Sequence, residues 1–428
     1  MICASVERCA GIDVGKRWLS VCVMVGGLEE EPRTEKRRYG TTRPELEQLR
    51  QWLVAEAVTH VVMESTGSYW KPVFNVVEEA VTVYLAQPEQ VKARKGHKTD
   101  DKDGWWLAHL LRHAMIQPSF IPPRGQRELR DLTRRRRKVI DAATSEKNRI
   151  QKLLEDANVK IGNVLSDVFG VSGQAMLEAL LKGQKTTEQI AHMARGMAKR
   201  KMPEIAQALE GHTLRDHHRQ LIHWSLEHMR FLEDQLVELD QAILAKIEEL
   251  GWGEQMKMVT SVPGVGENTA ATVLAEIGTK MEQFPTGGDL SSWAGVCPGN
   301  NRSAGKSKGS HTTHGNKWLR SALTEGSWGV AHKKNCYLKE KFWRLTSKHA
   351  GHAAPAIVAV AHSVLLHIYE VLKTGQPYQN RQADPLNEAQ KERLIQHHMR
   401  RLGKLGVPVR RPAISQNAKG RHPTKQTG

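Results

Sequence analysis

VERCAGIDVGKRWLSVCVMVGG, residues 6–27, alternates apolar and polar side chains on either side of a Gly-Lys turn. A period of two around such a turn predicts a β-hairpin, with successive side chains on opposite faces. A third strand is expected near 31–39. Beyond it, RPELEQLRQWLVAEA (43–57) has helical periodicity and THVVMES (59–65) reads as a short apolar strand. Residues 71–80 read as a helix, VTVYLAQP (81–88) as another strand, and a last helix runs from Thr99 to about Met115.

The order β-β-β-α-β-α-β-α is that of an RNase H-like domain, α/β with a mixed sheet and helices on its faces. Such a sheet sets its first and fourth strands side by side and lays the last helix across them. Asp13 in GIDVGK and Glu64 at the end of VVMES then fall close together. Asp100 and Asp103 in KTDDKDGWW, three apart on one helical face, face the same place. Four carboxylates need cations, and two Mg²⁺ ions roughly 4 Å apart are the usual solution for in-line phosphoryl chemistry. Singly, each acid also suits an ordinary helix cap or solvated strand end. GIDVGK resembles the first phosphate loop of sugar kinases and actin-like ATPases too, but the second domain and Asp-Gly loop those proteins need are not found.

The chain has 428 residues, enough for two or three domains, and a net charge of +17 from 63 Lys+Arg against 46 Asp+Glu. That balance favours a polyanionic partner, because each neutralised phosphate releases counterions. No apolar run is expected to reach a membrane span of about 18–20 residues, and no basic, apolar secretion signal opens the chain. The five cysteines form no C-x-x-C pair, which points to reduced thiols in a cytoplasm.

Pro118, Pro122 and Pro123 punctuate the end of the first domain (1–124). A long helix is expected from Gln126 to about Ala157 and a second from about Leu214 to Leu250, with heptad-like apolar spacing. They suggest an antiparallel coiled-coil arm (125–254) around a helical insert. A mainly helical domain (255–378) begins with MVTSVPGVGENTAATVLAEIG (258–278), a helix-hairpin-helix pattern. Its Gly264 and Gly266 would let backbone amides approach a DNA phosphate. A Gly/Ser/Lys-rich loop at 299–316 precedes a basic helix holding Lys317 and Arg320. Lys306 and Lys308 suit a phosphate site there, while Ser303, Ser307 and Ser310 are equivalent by composition. The tail, 379–428, is basic and reads as mostly disordered, with a short helix near 386–402. His217, His218, His223 and His228 read as surface histidines, and Trp105 and Trp106 as packed against the sheet.

GIDVGK, VVMESTGSYW, KTDDKD, VPGVGENTAATVLAEIG, WAGVCPGNNRSAGKSKG and HGNKWLRSAL occur in this order over roughly residues 8–373. In these motifs the chain resembles the DEDD transposases of bacterial insertion sequences, the IS110 family with its IS1111 branch. The resemblance implies that Asp13, Glu64, Asp100 and Asp103 form the metal site of a RuvC-like domain. It also picks Ser303 as the nucleophile, although Ala304 separates it from Gly305 where many relatives have Ser-Gly directly. It implies DNA partners (element ends and target), a structured guide RNA encoded by the element, and a homo-oligomer, a dimer assembling to a tetramer. A bacterial, nucleoid-associated protein without membrane contact is expected. With such partners the run TRRRRK (133–138), including Arg134 and Arg135, reads as a nucleic-acid contact. The rivals are a RuvC-like Holliday-junction nuclease that uses water, and a non-catalytic nucleic-acid-binding protein.

Overall fold

Strands β1 (Arg8–Val14) and β2 (Trp18–Val25) form the expected hairpin, with Gly11 opposite Cys22 and Asp13 opposite Ser20. β3 (Arg33–Gly40) extends it antiparallel, while β4 (His60–Glu64) and β5 (Thr82–Ala86) add in parallel on the far side of β1. The resulting order is β3-β2-β1-β4-β5. Parallel neighbours require a crossover, and α1 (Arg43–Ala55) and α2 (Trp70–Val77) provide one each. This computed structural model describes residues 4–64, 67–86, 91, 100–116, 119–297, 301–303, 306–309, 312, 314–334, 336–349, 351–380 and 388–406. The side chains of 100–102, 301–303, 306–309, 388–391, 394 and 404 are outside that description.

Alternation along each strand sorts its side chains onto two faces. Ala10, Ile12, Val21, Val61 and Met63 pack with Leu49 and Leu53 of α1 and Val73 and Val77 of α2. Cys9, Cys22, Met24 and Val62 face the other way, onto Leu107, Ala108 and Leu111 of α3 (Asp100–Arg112). Burial pushes the thiols of Cys9 and Cys22 up to about 11, so both stay protonated core residues at neutral pH. The five-stranded mixed sheet with helices on both faces is consistent with an RNase H-like DEDD domain.

Two glycines let α3 approach the sheet. A Cβ on Gly11 would lie 2.3 Å from both the amide nitrogen of Ala108 and the carbonyl oxygen of Gly104, and one on Gly104 would lie 2.9 Å from the carbonyl oxygen of Ser20. The opposite end of α3 is tied by Arg112. Its fully buried guanidinium donates to the carbonyl oxygens of Val6, Glu7, Gly26, Gly27 and Glu30, the shortest at 2.6 Å. Because those obstacles are backbone atoms, Gly11→Ala should destabilise Met1–Arg124 by about 3 kcal/mol, the upper range for overpacking. Denaturant unfolding followed by fluorescence checks this, and an unchanged midpoint would show that α3 does not bear on Gly11.

The chain divides into two compact units, Met1–Arg124 and Gly125–Gly428. In the second, α4 (Arg124–Asp156) runs antiparallel to α9 (Asp216–Glu249). Ion pairs and hydrogen bonds joining Glu128 to Lys246, Arg136 to Asp240, Glu146 to His228 and Asp156 to His218 step in opposite directions along the two helices. Between them lie α5 (Ile161–Val164), α6 (Val171–Lys182), α7 (Thr187–Ala191) and α8 (Met202–Leu209), around a core that includes Met176, Leu180, Ile205 and Ile222. Then follow α10 (Gly253–Thr260), α11 (Glu267–Ile277), α12 (Gly287–Trp293), α13 (Lys317–Val330), α14 (Tyr337–Lys348) and α15 (Ala353–Thr374). A further helix, α16 (Glu388–Lys404), occupies the tail near its expected place.

Three expectations change. α15 is long and apolar enough to cross a membrane by length and composition. Ile357, Val360, Leu365 and Ile368 on it are buried in the second unit's core, which accounts for its composition. His218 is not a surface histidine but is 1% exposed, because it closes the start of α9 onto Asp156. Trp106 is half-buried and donates to the carbonyl of Val91, whereas Trp105 turns outward and stacks on His109.

Candidate active site and its anchoring

Asp13 is the penultimate residue of β1, and Glu64 is the last of β4. The parallel register pairs Ile12 with Met63, so the two acids follow on adjacent strands at the same end of the sheet. Cys9 and Val62 face α3, so Asp13 and Glu64, an even number of residues further on, point to that side as well. α3 runs antiparallel to β1, with Arg112 over Val6 and Glu7, Ala108 over Cys9, and Gly104 over Gly11. Its first turn, with Asp100 and Asp103, is thereby directed toward the strand end that carries Asp13. Asp13, Glu64 and Asp103 are half-buried, and the side chain of Asp100 lies outside the described residues.

The donors at this end are carboxylate oxygens, the set a hard cation such as Mg²⁺ prefers over softer metals. Among the described residues the one group of three with ligand-like spacing is not Asp13, Glu64 and Asp103 but Asp156 with His217 and His218. Its hydrogen bonds argue against a metal there. Nδ1 of His218 accepts from the amide of Arg215 at 3.2 Å, which leaves the proton on Nε2, and Nε2 donates to Asp156 at 2.8 Å. A protonated Nε2 has no lone pair for an ion, so this cluster ties the end of α4 to the start of α9.

In the second unit, β6 (Asn301–Ser303) and β7 (Lys306–Gly309) form a small antiparallel pair that sets Ser303 opposite Lys306. The side chains of Ser303, Lys306, Ser307 and Lys308, and Ser310 as a whole, lie outside the described residues. The chain that follows this segment packs closely on the end of α12. A Cβ on Gly315 would lie 2.3 Å from the amide nitrogen of Gly295, and the amide of Asn316 donates to the carbonyl of Trp293 at 3.1 Å. Asn316 caps α13 by accepting from the amides of Trp318 and Leu319, and its Nδ2 donates to Glu276 at 2.7 Å.

Glu276 is 1% exposed and is the hub of these contacts. Arg134 binds it through Nε at 2.7 Å and Nη2 at 2.8 Å, and Nε of Arg130 is 3.3 Å away. Arg134, expected as a nucleic-acid contact, is thus ion-paired to an internal carboxylate while its side chain stays one-third exposed. Arg136 and Arg137 are also paired, with Asp240 and Glu325 respectively, whereas Arg135 and Lys138 remain exposed. Removing one partner of a buried pair strands the other charge, so Glu276→Ala should destabilise the second unit by about 3–5 kcal/mol. Chemical unfolding of the variant tests this, and a loss under about 1 kcal/mol would mean that water relieves both arginines.

Gly264 has φ of +85°, and a Cβ on it would lie 2.6 Å from the carbonyl oxygen of Gly326, so the PGVG turn is packed closely against α13. A Cβ on Gly266, which precedes α11 without a side-chain cap, would meet nothing within 4 Å. Beside that helix start, a shallow cleft is lined by Asn268, Thr269, Thr272, Arg137 and Trp318. Lys317 is exposed with its ammonium 5.0 Å from the Trp318 ring, and Arg320 reaches Thr312 at 3.3 Å.

No curated protein matches the chain. Residues 10–159 match a transposase family model of the DEDD, IS110 type, a span containing all four candidate acids. Residues 256–344 match the model described as transposase IS116/IS110/IS902 family, a span containing Ser303 and the Glu276 hub. Both models describe transposases of the IS110 type, and the chain is similar to them over these two spans in this order.

Proposed function

We propose that the protein cuts and rejoins DNA at a divalent-metal site formed by Asp13, Glu64, Asp100 and Asp103, with Ser303 as the attacking group. The observation that carries this is the meeting of the ends of β1 and β4 with the first turn of α3 at one end and one face of the sheet. Mg²⁺ bound there, as two ions in the usual arrangement, would neutralise the phosphate and stabilise the departing oxygen. The carboxylates orient the scissile phosphate through that site. The Ser303 oxygen forms a bond to phosphorus, the bond to the departing deoxyribose oxygen breaks, and the serine proton ends on the released hydroxyl. One ester replaces another, so the bond is conserved for rejoining, which recombination requires and hydrolysis forfeits.

The turn between α10 and α11 is read as a helix-hairpin-helix element whose Gly264 and Gly266 bring amides to a DNA phosphate. Lys306, Lys308, Lys317, Arg320 and Arg135 add positive charge. From the resemblance come the guide RNA, the IS1111 branch and an assembly of dimers into a tetramer, with α4 and α9 as the coiled-coil element between subunits. A net charge of +17 suits both nucleic acids. Protein purified from cells that carry its element should retain RNA and cleave element-end DNA in Mg²⁺, and should lose site-specific cleavage in EDTA or after RNase treatment. Cleavage at full rate in EDTA would overturn the metal reading, and site-specific cleavage by RNA-free protein would overturn the guide.

A further inference from the structure

Two tryptophans stand half-exposed on one edge of the second unit's core, Trp328 on α13 at 50% and Trp343 on α14 at 49%. Phe342, buried between them, has its ring centre 6.1 Å from Trp328 and 5.1 Å from Trp343, steeply inclined to both. Nε1 of Trp343 donates to the carbonyl of Ala331 at 3.2 Å, which holds the indole against the end of α13. Both rings are therefore pre-positioned by packing, with half of each surface in water.

The charge around them is nearly all of one sign. Lys333 and Lys334 follow Ala331 by two and three residues, Lys339 precedes Trp343 by one helical turn, and Arg344 is adjacent to it. None of these four side chains is ion-paired among the described residues. Glu340 is the one carboxylate on the exposed turns of α14 near Trp343, and Glu325, a turn before Trp328, is engaged by Arg137.

Cations interleaved with immobilised aromatic faces suit a ligand that offers phosphates and flat rings together. A duplex hides its ring faces in the stack, whereas an unpaired strand presents them, and each base stacked on an aromatic side chain strengthens binding substantially. A protein partner seated here would instead have to set carboxylates against four unpaired cations around a small apolar centre. We propose that Trp328 and Trp343 form a stacking platform for an unpaired DNA strand, with Lys333, Lys334, Lys339 and Arg344 holding its phosphates. The choice of DNA rests on the reading of the protein as a DNA-cutting enzyme, whose substrate must be opened during strand exchange.

The test uses the full chain in EDTA, with an oligothymidylate of about a dozen nucleotides and a duplex of mixed sequence as probes. Trp328→Ala and Trp343→Ala should each weaken oligothymidylate binding about ten- to a hundredfold, with duplex affinity changed less than about twofold. Trp343→Phe should retain most of the affinity, because it keeps a ring face. Lys333→Gln with Lys334→Gln should flatten the salt dependence. Unchanged oligothymidylate binding in both alanine variants would overturn the platform, as would an equal loss for duplex. Loss confined to oligouridylate would also overturn it, giving the surface to RNA. Binding in EDTA is read independently of cleavage. A protein that shows the expected losses but never cuts DNA would sink the proposed function and keep the platform.

Discussion

Asp13→Ala and Glu64→Ala are each expected to lower Mg²⁺-dependent strand cleavage by roughly a thousandfold or more, with DNA binding nearly unchanged. Both residues sit at strand ends on the α3 side, half-buried and adjacent across the parallel pair. Carboxylates that converge on a cation repel one another without it, so removing one should not unfold the metal-free protein. The sheet beneath them is held by Ile12, Val62 and Met63, which these substitutions do not touch. Asp103→Ala should behave similarly, because Asp103 shares the first turns of α3 with Gly104, whose close packing on the sheet sets the helix in place. Rates measured on element-end DNA, with circular dichroism to confirm folding, check the series. Cleavage by Glu64→Ala within tenfold of the unsubstituted protein would remove Glu64 from the site.

Ser303→Ala is expected to abolish strand joining and the covalent protein–DNA adduct. Substrates nicked beside the cleavage point release the departing strand and trap any phosphoserine ester on denaturing gels. The unsubstituted protein should form an adduct that peptide mapping places on Ser303, and Ser303→Ala should bind the same DNA without forming one. A serine hydroxyl is a weak nucleophile at neutral pH, so the adduct should also fail in EDTA and in Glu64→Ala. An adduct that survives Ser303→Ala would move the attack to Ser307 or Ser310. Cleavage with no adduct in any variant would favour a water-using junction nuclease.

The sheet was legible in the sequence because strand alternation is a local signal. Residues 6–27 and 59–65 carry their face pattern in the order of their side chains, and the helix between β3 and β4 forces the parallel pairing with β1. The approach of α3 was not legible, since Gly11 and Gly104 are ordinary glycines until the chain brings them together. Arg134 shows the same limit more sharply. TRRRRK reads as one basic block, but on a helix its side chains fan out about 100° apart and meet different neighbours. Arg134 turns to Glu276, 142 residues away, and Arg136 turns to Asp240 on α9. His218 was missed likewise, because Asp156 meets it only through the antiparallel pairing of α4 and α9. The half-exposed Trp328 and Trp343 carry no sequence signal of exposure, since either would serve equally as a core residue.

The proposed chemistry requires the divalent ion to bind at the carboxylate end of the sheet. Fe²⁺ in place of Mg²⁺, with ascorbate and peroxide, generates radicals that cut the polypeptide beside a bound ion. The fragments then locate the site without reference to activity. The carboxylate site predicts cuts near residues 13, 64 and 100–103, suppressed by excess Mg²⁺ and lost in Asp13→Ala. Cuts near 156 and 217–218 instead, at the one cluster with ligand-like spacing among the described residues, would contradict it.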